Sequence, residues 1–203
     1  MDSLKNIEAF IFDLDGVLVD SYHCWQNMIR EILEERGRTL SLSEFDACWG
    51  QGPEEDQQMF FPEFSVAEVL KFYENRFPAY ARFANLEPGM ADLLHALSVA
   101  GKKTAVASNS PTTIIRSLLE AAGLSSLIGI SVGVEQVKEA KPAPDLILAA
   151  MEKLNVQSSR ACYVGDSIFD EKAAHMAGVL FIGYKRPGDI SIRHFAELQK
   201  LIT

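Results

Sequence analysis

Short runs of apolar residues alternate along the chain with longer amphipathic segments. Apolar runs of this kind are typical of strands that are buried on both faces of a parallel sheet. The segments between them repeat apolar residues every three or four positions, which is typical of helices packed on a sheet. Strands that alternate with helices form right-handed crossovers, so we expect an α/β fold with a doubly wound, parallel, Rossmann-like sheet. The strands of this sheet are predicted at residues 9–12, 104–107, 128–132, 161–164 and 179–182.

One segment departs from this alternation, because residues 21–84 carry helical patterns only. Ser41 and Ser65 are each followed three residues later by a glutamate, which is the spacing of a capping box at the start of a helix. No strand pattern interrupts the segment. We therefore expect it to form a small inserted α-helical cap domain between the two parts of an α/β core, residues 1–20 and 85–203.

The composition indicates which classes of ligand the protein can bind. The chain has 28 acidic and 19 basic side chains and a formal net charge of −9, which disfavours binding to nucleic acid. A small anionic substrate is still compatible with this charge, because a metal ion and one lysine can reverse the field within a cleft. The sequence offers no membrane-spanning stretch, signal peptide or paired cysteines. We expect a cytoplasmic protein that does not bind membranes and that is a monomer or a weak homodimer.

Polar residues follow the predicted strands, at the sheet edge where ligands bind in such folds. Each of them alone is compatible with an ordinary turn, a helix cap or a solvated surface charge. Together they form a selective set, because they converge on one edge. Carboxylates crowded there repel one another unless a cation neutralises them, and hard oxygen ligands suit Mg²⁺, so we predict a Mg²⁺ site. The set comprises Asp13, Asp15, Ser108, Asn109, Lys141, Asp166 and Asp170.

Four motifs in this set resemble, in order, those of the haloacid dehalogenase superfamily. The resemblance covers nearly the whole chain. The helical segment after the first motif is similar to the cap of the phosphoglycolate phosphatase-like and β-phosphoglucomutase-like branch. The four motifs are Asp13-Leu14-Asp15-Gly16, Ser108-Asn109-Ser110, Lys141-Pro142-Ala143-Pro144 and Gly165-Asp166-Ser167-Ile168-Phe169-Asp170.

The resemblance implies a role for each residue that touches the phosphoryl group. Asp13 would be the nucleophile, and Asp15 would be the general acid and base. Ser108, Asn109 and Lys141 would hold the phosphoryl group. Such chemistry is physically coherent, because an attacking carboxylate and a phosphate ester are both anions and need cations between them.

The resemblance also implies the ligands of the metal ion. Asp13, the backbone carbonyl of Asp15, and Asp166 would bind Mg²⁺, while Asp170 would lie behind them or serve as an occasional ligand. The expected activity is that of a Mg²⁺-dependent phosphatase, which hydrolyses a small phosphorylated metabolite through an aspartyl-phosphate intermediate.

Two other functions stay open. A phosphomutase of the β-phosphoglucomutase type would share these motifs, but such members carry a histidine where this chain has Trp25 and an arginine in the loop that corresponds to residues 50–56. A phospho-accepting signalling receiver would also combine aspartates, a hydroxyl and a lysine on a parallel sheet. The large helical insertion and the length of the chain disfavour the receiver.

The loop at residues 50–56 is a candidate contact to the rest of the substrate. Its glycines permit close approach, and the carboxylates of Glu54 and Glu55 could accept hydrogen bonds from substrate hydroxyls. A flexible surface turn explains the same residues nearly as well, so the sequence leaves the identity of the metabolite open.

Overall fold

The computed structural model describes residues 4–202. Its strands are β1 (Ala9–Phe12), β2 (Val19–Asp20), β3 (Asn85–Leu86), β4 (Lys103–Ala107), β5 (Ile130–Val132), β6 (Ala161–Gly165), β7 (Leu180–Tyr184) and β8 (Ile190–Ile192). Within the described residues, six of these strands form one parallel sheet in the order β5-β4-β1-β6-β7-β8. The strand order reverses at β1, which therefore has neighbours on both sides and occupies the centre. The predicted fold class is confirmed.

Helices cover the sheet on both faces. Their bounds are α1 (Tyr22–Glu34), α2 (Leu42–Cys48), α3 (Pro53–Phe60), α4 (Val66–Arg76), α5 (Pro78–Ala81), α6 (Met90–Val99), α7 (Thr112–Ala121), α8 (Asp145–Leu154), α9 (Ile168–Ala177) and α10 (Phe195–Ile202). Helices α8 and α9 pack on one face of the sheet, and α6, α7 and α10 pack on the other. None of the helices in residues 4–202 has both the length and the apolar composition to cross a membrane.

The central strand shows why the apolar runs form a two-sided core. All four residues of β1 are buried. Successive side chains of a strand point to opposite faces, so Ala9 and Ile11 pack with α8 and α9, while Phe10 and Phe12 join the cluster on the other face. The residues that follow β1 therefore start from a strand that the core encloses on both faces.

The segment between β2 and β3 is helical, as its pattern predicts, and contains α1–α5. The capping boxes at Ser41 and Ser65 are both present, with each serine side chain accepting from the backbone N–H of its glutamate. The two chain segments that join these helices to the sheet pair as an antiparallel ribbon, with Val19 opposite Leu86 and Asp20 opposite Asn85.

The sequence prediction missed the sixth strand of the main sheet. The pattern of the last residues predicts a helix over residues 192–202, whereas the chain forms β8 first and the helix α10 begins at Phe195. Strand β8 has only three residues and lies at the edge of the sheet. A strand this short carries too little alternation to be recognised from its sequence.

Candidate active site

The site begins where the central strands end. Asp13 directly follows β1, and its backbone N–H donates to Val164 of β6 at 2.9 Å. Ser108 follows β4 and continues the ladder by donating its N–H to Val132 at 3.1 Å. Asp166 follows β6 in the same way. The parallel ladder therefore fixes three of the predicted site residues at one edge of the sheet.

Lys141 supplies the positive charge of the site. It is 2% exposed, and its Nζ lies 2.8 Å from Asp13 Oδ1 and 2.7 Å from Asp170 Oδ1. Burial by itself would lower the pKa of Lys141, but the carboxylates of Asp13 and Asp170 outweigh that effect and raise it. The ammonium group therefore keeps its charge inside the protein.

Asp13 is paired with this ammonium through Oδ1. The ion pair with Lys141 is the one side-chain contact that the described residues give to this carboxylate. Burial raises the pKa of Asp13 to about 7, and the charges of Asp170 and Asp15 add to the rise against the opposing effect of Lys141. The carboxylate is thus held in place by the charge of Lys141.

Asp170 is, in contrast, fully engaged. Its Oδ1 accepts from Lys141 at 2.7 Å, and its Oδ2 accepts from Asp166 N at 3.2 Å. Ser167 adds its backbone N–H at 2.9 Å and its hydroxyl at 2.6 Å to Oδ2. Burial would raise the pKa of Asp170, but Lys141 and the Ser167 hydrogen bonds outweigh that effect and lower it. This saturation makes Asp170 an anchor for Lys141 and for the Asp166 backbone.

Three aspartates form a cluster that could hold a metal ion. Asp13, Asp166 and Asp170 each offer a carboxylate oxygen, and these oxygens lie within 4.8 Å of one another. Burial, followed by the charges of Asp170 and Asp13, holds the pKa of Asp166 well above its usual range. Gly16 permits this arrangement, because its φ is +78° and a Cβ there would lie 2.2 Å from Asp166 Oδ2. Repulsion within the cluster is the electrostatic condition that a divalent cation relieves.

Asp15 is not one of the three clustered aspartates, and its carboxylate has hydrogen-bond partners of its own. Asp15 Oδ1 accepts from the hydroxyl of Ser21 and, at 2.8 Å, from the indole N–H of Trp25. Asp15 Oδ2 accepts from the hydroxyl of Ser110 at 2.7 Å. Three donors, two from the insertion and one from the loop after β4, therefore orient this carboxylate toward the cavity.

Asn109 was predicted to hold phosphate, and its side chain is used differently. Its Oδ1 accepts from the backbone N–H of Lys141 at 2.8 Å, and its Nδ2 donates to the Lys141 carbonyl at 3.2 Å. The same Nδ2 donates to the carbonyl of Gly50 in the insertion at 3.3 Å. Ser108, which is buried, accepts the N–H of Ser110 on its hydroxyl at 3.1 Å. Asn109 thus clamps the backbone of Lys141 and joins it to the insertion.

The sequence prediction missed two residues that support the site. The large apolar side chain of Trp25 favours a core position, and it is 9% exposed and packs against Tyr73 and Phe77, but it also donates to Asp15. Tyr163 lies within β6 and donates to the Ala107 carbonyl at 2.8 Å while contacting Lys141 Nζ at 3.1 Å. A tyrosine in an otherwise apolar buried strand signals that its hydroxyl needs a partner, and this signal could have identified Tyr163.

A cavity of about 70 Å³ joins these groups to the helical insertion. The loop at residues 50–56 reaches the cavity through Gly50, Gln51, Pro53 and Asp56. Glu54 and Glu55, the residues predicted to contact substrate hydroxyls, are exposed and are not part of its lining. The loop is therefore near the site, but a different carboxylate, that of Asp56, faces the cavity.

Comparisons with known proteins show which family the chain belongs to. Residues 10–184 match the family model described as haloacid dehalogenase-like hydrolase. A phosphoglycolate phosphatase from Rhodospirillum rubrum is 31% identical over 199 residues, which cover 88% of this chain and 81% of the relative. A phosphoglycolate phosphatase from Xylella fastidiosa is 30% identical over 177 residues, which cover 83% of this chain and 76% of the relative.

A solved structure agrees with the sequence matches. CbbY from Rhodobacter sphaeroides in complex with phosphate is 25% identical, superposes with a TM-score of 0.85, and covers 95% of this chain and 96% of its own. The likeness extends over the parallel sheet and the helical insertion alike. The resemblance that the four motifs indicate is confirmed, and the chain belongs to the haloacid dehalogenase-like hydrolases.

Proposed function

We propose that this hydrolase is a Mg²⁺-dependent phosphatase that cleaves a small phosphomonoester through an aspartyl-phosphate on Asp13. The observation that carries the proposal is that Asp13, buried at the end of β1 on the wall of the cavity, forms an ion pair with Lys141 at 2.8 Å. The positive charge beside this carboxylate offsets the charge of an incoming phosphoryl group. The curated relatives named phosphoglycolate phosphatase support the same reaction class.

The aspartate cluster fits Mg²⁺. Its donors are carboxylate oxygens, the hard ligands that Mg²⁺ takes. The raised pKa values of Asp13 and Asp166 are conditions that a cation would relieve. In this proposal Asp13, Asp166 and the backbone carbonyl of Asp15 hold the ion, and Asp170 supports them from behind. When bound, Mg²⁺ supplies positive charge that offsets the negative charge of the phosphoryl group.

Asp13 is the nucleophile of the proposed reaction. One of its carboxylate oxygens bonds to phosphorus while the bond between phosphorus and the leaving oxygen breaks. Lys141, fixed between Asp13 and Asp170 and clamped by Asn109, donates to the phosphoryl oxygens as their charge is redistributed. The hydroxyl of Ser108 lies in the same cavity and is the second predicted donor.

Asp15 is the general acid and base of the proposed reaction. It gives a proton to the leaving oxygen in the first step, and it takes one from the water that hydrolyses the aspartyl-phosphate in the second. The hydrogen bonds from Ser21, Trp25 and Ser110 orient its carboxylate for both steps. Two carboxylates separated by one residue thus take different roles because their surroundings differ.

The helical insertion acts in this proposal as a cap, residues 21–84, on a core of residues 1–20 and 85–203. The paired segments β2 and β3 are its hinge. In the closed cap, the carbonyl of Gly50 accepts from Asn109, which holds the backbone of Lys141. The indole of Trp25 donates to Asp15, the general acid and base. A closed cap also excludes bulk water from the aspartyl-phosphate.

The test is phosphate release from p-nitrophenyl phosphate in the presence of Mg²⁺. We expect wild-type turnover and none in Asp13→Asn, because the amide is not a nucleophile. Asp92→Asn, the same change at an exposed position of α6, is the matched control and should retain wild-type activity. Acid quenching with ³²P-labelled substrate should trap a labelled protein in the wild type only. Turnover near the wild-type level in folded Asp13→Asn would refute the mechanism.

A further inference from the structure

The cavity above Asp13 extends into the insertion, and we refer to that part of it as the cap chamber. Its wall is mostly apolar and aromatic. The residues that form this apolar wall are Trp25, Ile29, Phe45, Trp49, Leu70 and Tyr73. Because the core motifs hold the phosphoryl group, this chamber is where the leaving group of a substrate must lie.

The cap chamber has no positive charge of its own. Among the described residues that line the cavity, Lys141 is the single basic side chain, and it is engaged with Asp13 and Asp170. The ionisable carboxylate that the insertion contributes to the wall is Asp56. A substrate with a second anionic group would therefore place that group in an apolar space with a carboxylate and without a counter-charge.

Asp56 is held so that it can accept a further hydrogen bond. Its Oδ1 accepts from Gln51 Nε2 and its Oδ2 accepts from the hydroxyl of Tyr73, each at 2.8 Å. A carboxylate offers about four acceptor positions, so these two bonds leave others for a ligand. Burial raises the pKa of Asp56 to about 6, which still leaves the group largely ionised at neutral pH. It therefore favours a donor and disfavours an anion.

We propose that the cap chamber selects phosphomonoesters whose leaving group is uncharged and carries a hydrogen-bond donor for Asp56, and that it rejects a second anionic group. This inference rests on the phosphatase function proposed above. It separates this chain from relatives that are named for phosphoglycolate, because phosphoglycolate carries a carboxylate beside its phosphate.

The test compares 2-phosphoglycolate with its amide, 2-phosphoglycolamide, which has the same shape without the second negative charge. Phosphate release is measured at neutral pH with Mg²⁺ for the wild type, Asp56→Asn and Glu54→Gln. We expect a kcat/KM at least about tenfold higher for the amide in the wild type, since like charges near one another in a cleft disfavour binding. The ratio should fall at least about threefold in Asp56→Asn. Glu54→Gln, the same charge change on the exposed side of α3, should keep the wild-type ratio.

The ratio of kcat/KM for the amide to kcat/KM for phosphoglycolate in the wild type tests the inference even if Asp56→Asn does not fold. Equal hydrolysis of the two esters, or faster hydrolysis of phosphoglycolate, would overturn the inference and leave the phosphatase proposal standing. Turnover of p-nitrophenyl phosphate with neither matched ester accepted would overturn the inference as well. Failure of all three esters would instead refute the proposed function on which it rests.

Discussion

Replacement of Gly16 by alanine tests whether the aspartate cluster is the centre of the activity. Gly16 lies in the turn after β1 with a φ of +78°, and its N–H donates to Val19 at 2.8 Å. A Cβ at this position would lie 2.2 Å from Asp166 Oδ2 and 3.0 Å from Asp166 Cγ. The substitution therefore acts on Asp166 without altering a titratable group.

The magnitude follows from two separate effects. A non-glycine residue in the left-handed region costs about 1–2 kcal/mol, which a domain of ordinary stability tolerates. Ordinary contact begins near 3.4 Å, so the Asp166 carboxylate must retreat from the 2.2 Å position. A displacement of about 1 Å in a catalytic centre can cost about a hundredfold in rate. We therefore expect kcat/KM to fall about a hundredfold and half-maximal activity to require more Mg²⁺.

A second glycine separates these effects. Gly101 has a φ of +67°, and a Cβ there would meet nothing within 4 Å. Gly101→Ala should therefore show a comparable loss in the free energy of unfolding, measured with urea, but wild-type kcat/KM for p-nitrophenyl phosphate. If Gly16→Ala keeps the activity and the Mg²⁺ dependence of Gly101→Ala, the assignment of Asp166 to the catalytic centre is wrong.

Further predictions follow from the same contacts. Trp25→Phe keeps an aromatic ring but loses the 2.8 Å donor to Asp15, so kcat should fall about tenfold for phosphate release. Asp170→Asn removes one of the two carboxylates paired with Lys141 and should lower the free energy of unfolding by about 1.5–3 kcal/mol in urea titrations. Burial raises the pKa of Asp56 from 3.8 to about 6, so the folded protein binds this proton more tightly than the unfolded chain does. Stability relative to Asp56→Asn should therefore decline by up to about 3 kcal/mol as the pH rises from about 4 to about 6, and a difference independent of pH would contradict this. Chelation with EDTA should abolish turnover and Mg²⁺ should restore it, whereas Ca²⁺ should inhibit, because its looser geometry can engage a second oxygen of Asp13. Full activity after chelation would exclude the metal.

Much of the fold could be predicted because its signals are local. The run Ala9–Phe12 is apolar at every position, and the bounds predicted for this strand are those of the structure. The capping boxes at Ser41 and Ser65 also use groups within one helical turn. The ribbon of β2 and β3 could not be predicted, since Val19 and Leu86 are distant in the sequence and pair for only two residues. The division into core and cap stays a proposal.

The candidate site was predictable to the extent that topology places strand ends together. Asp13, Ser108 and Asp166 follow strands that are neighbours in the sheet, so a parallel order alone brings them to one edge. The catalytic and binding roles of these residues stay predictions. The contacts of Trp25 and Asp56 depend on how the insertion packs against the core. The spacing of apolar residues in the sequence does not indicate that packing. Sequence spacing instead favoured Glu54 and Glu55, whose carboxylates are exposed.

Two hydrogen-bonded links connect substrate selection to catalysis in the proposed mechanism. Asp15 receives donors from both sides of the cavity, Trp25 from the insertion and Ser110 from the loop after β4. Asn109 joins the carbonyl of Gly50 in the insertion to the backbone of Lys141. A leaving group that fits the cap chamber permits the insertion to remain in this position, and both links are then intact. A leaving group that is repelled from the chamber breaks both links. Asp15 is then no longer oriented by Trp25, and Asn109 no longer joins Lys141 to the insertion. Substrates that fit the cap chamber poorly should therefore have a lower kcat as well as a higher KM, because the same contacts that close the insertion complete the catalytic arrangement.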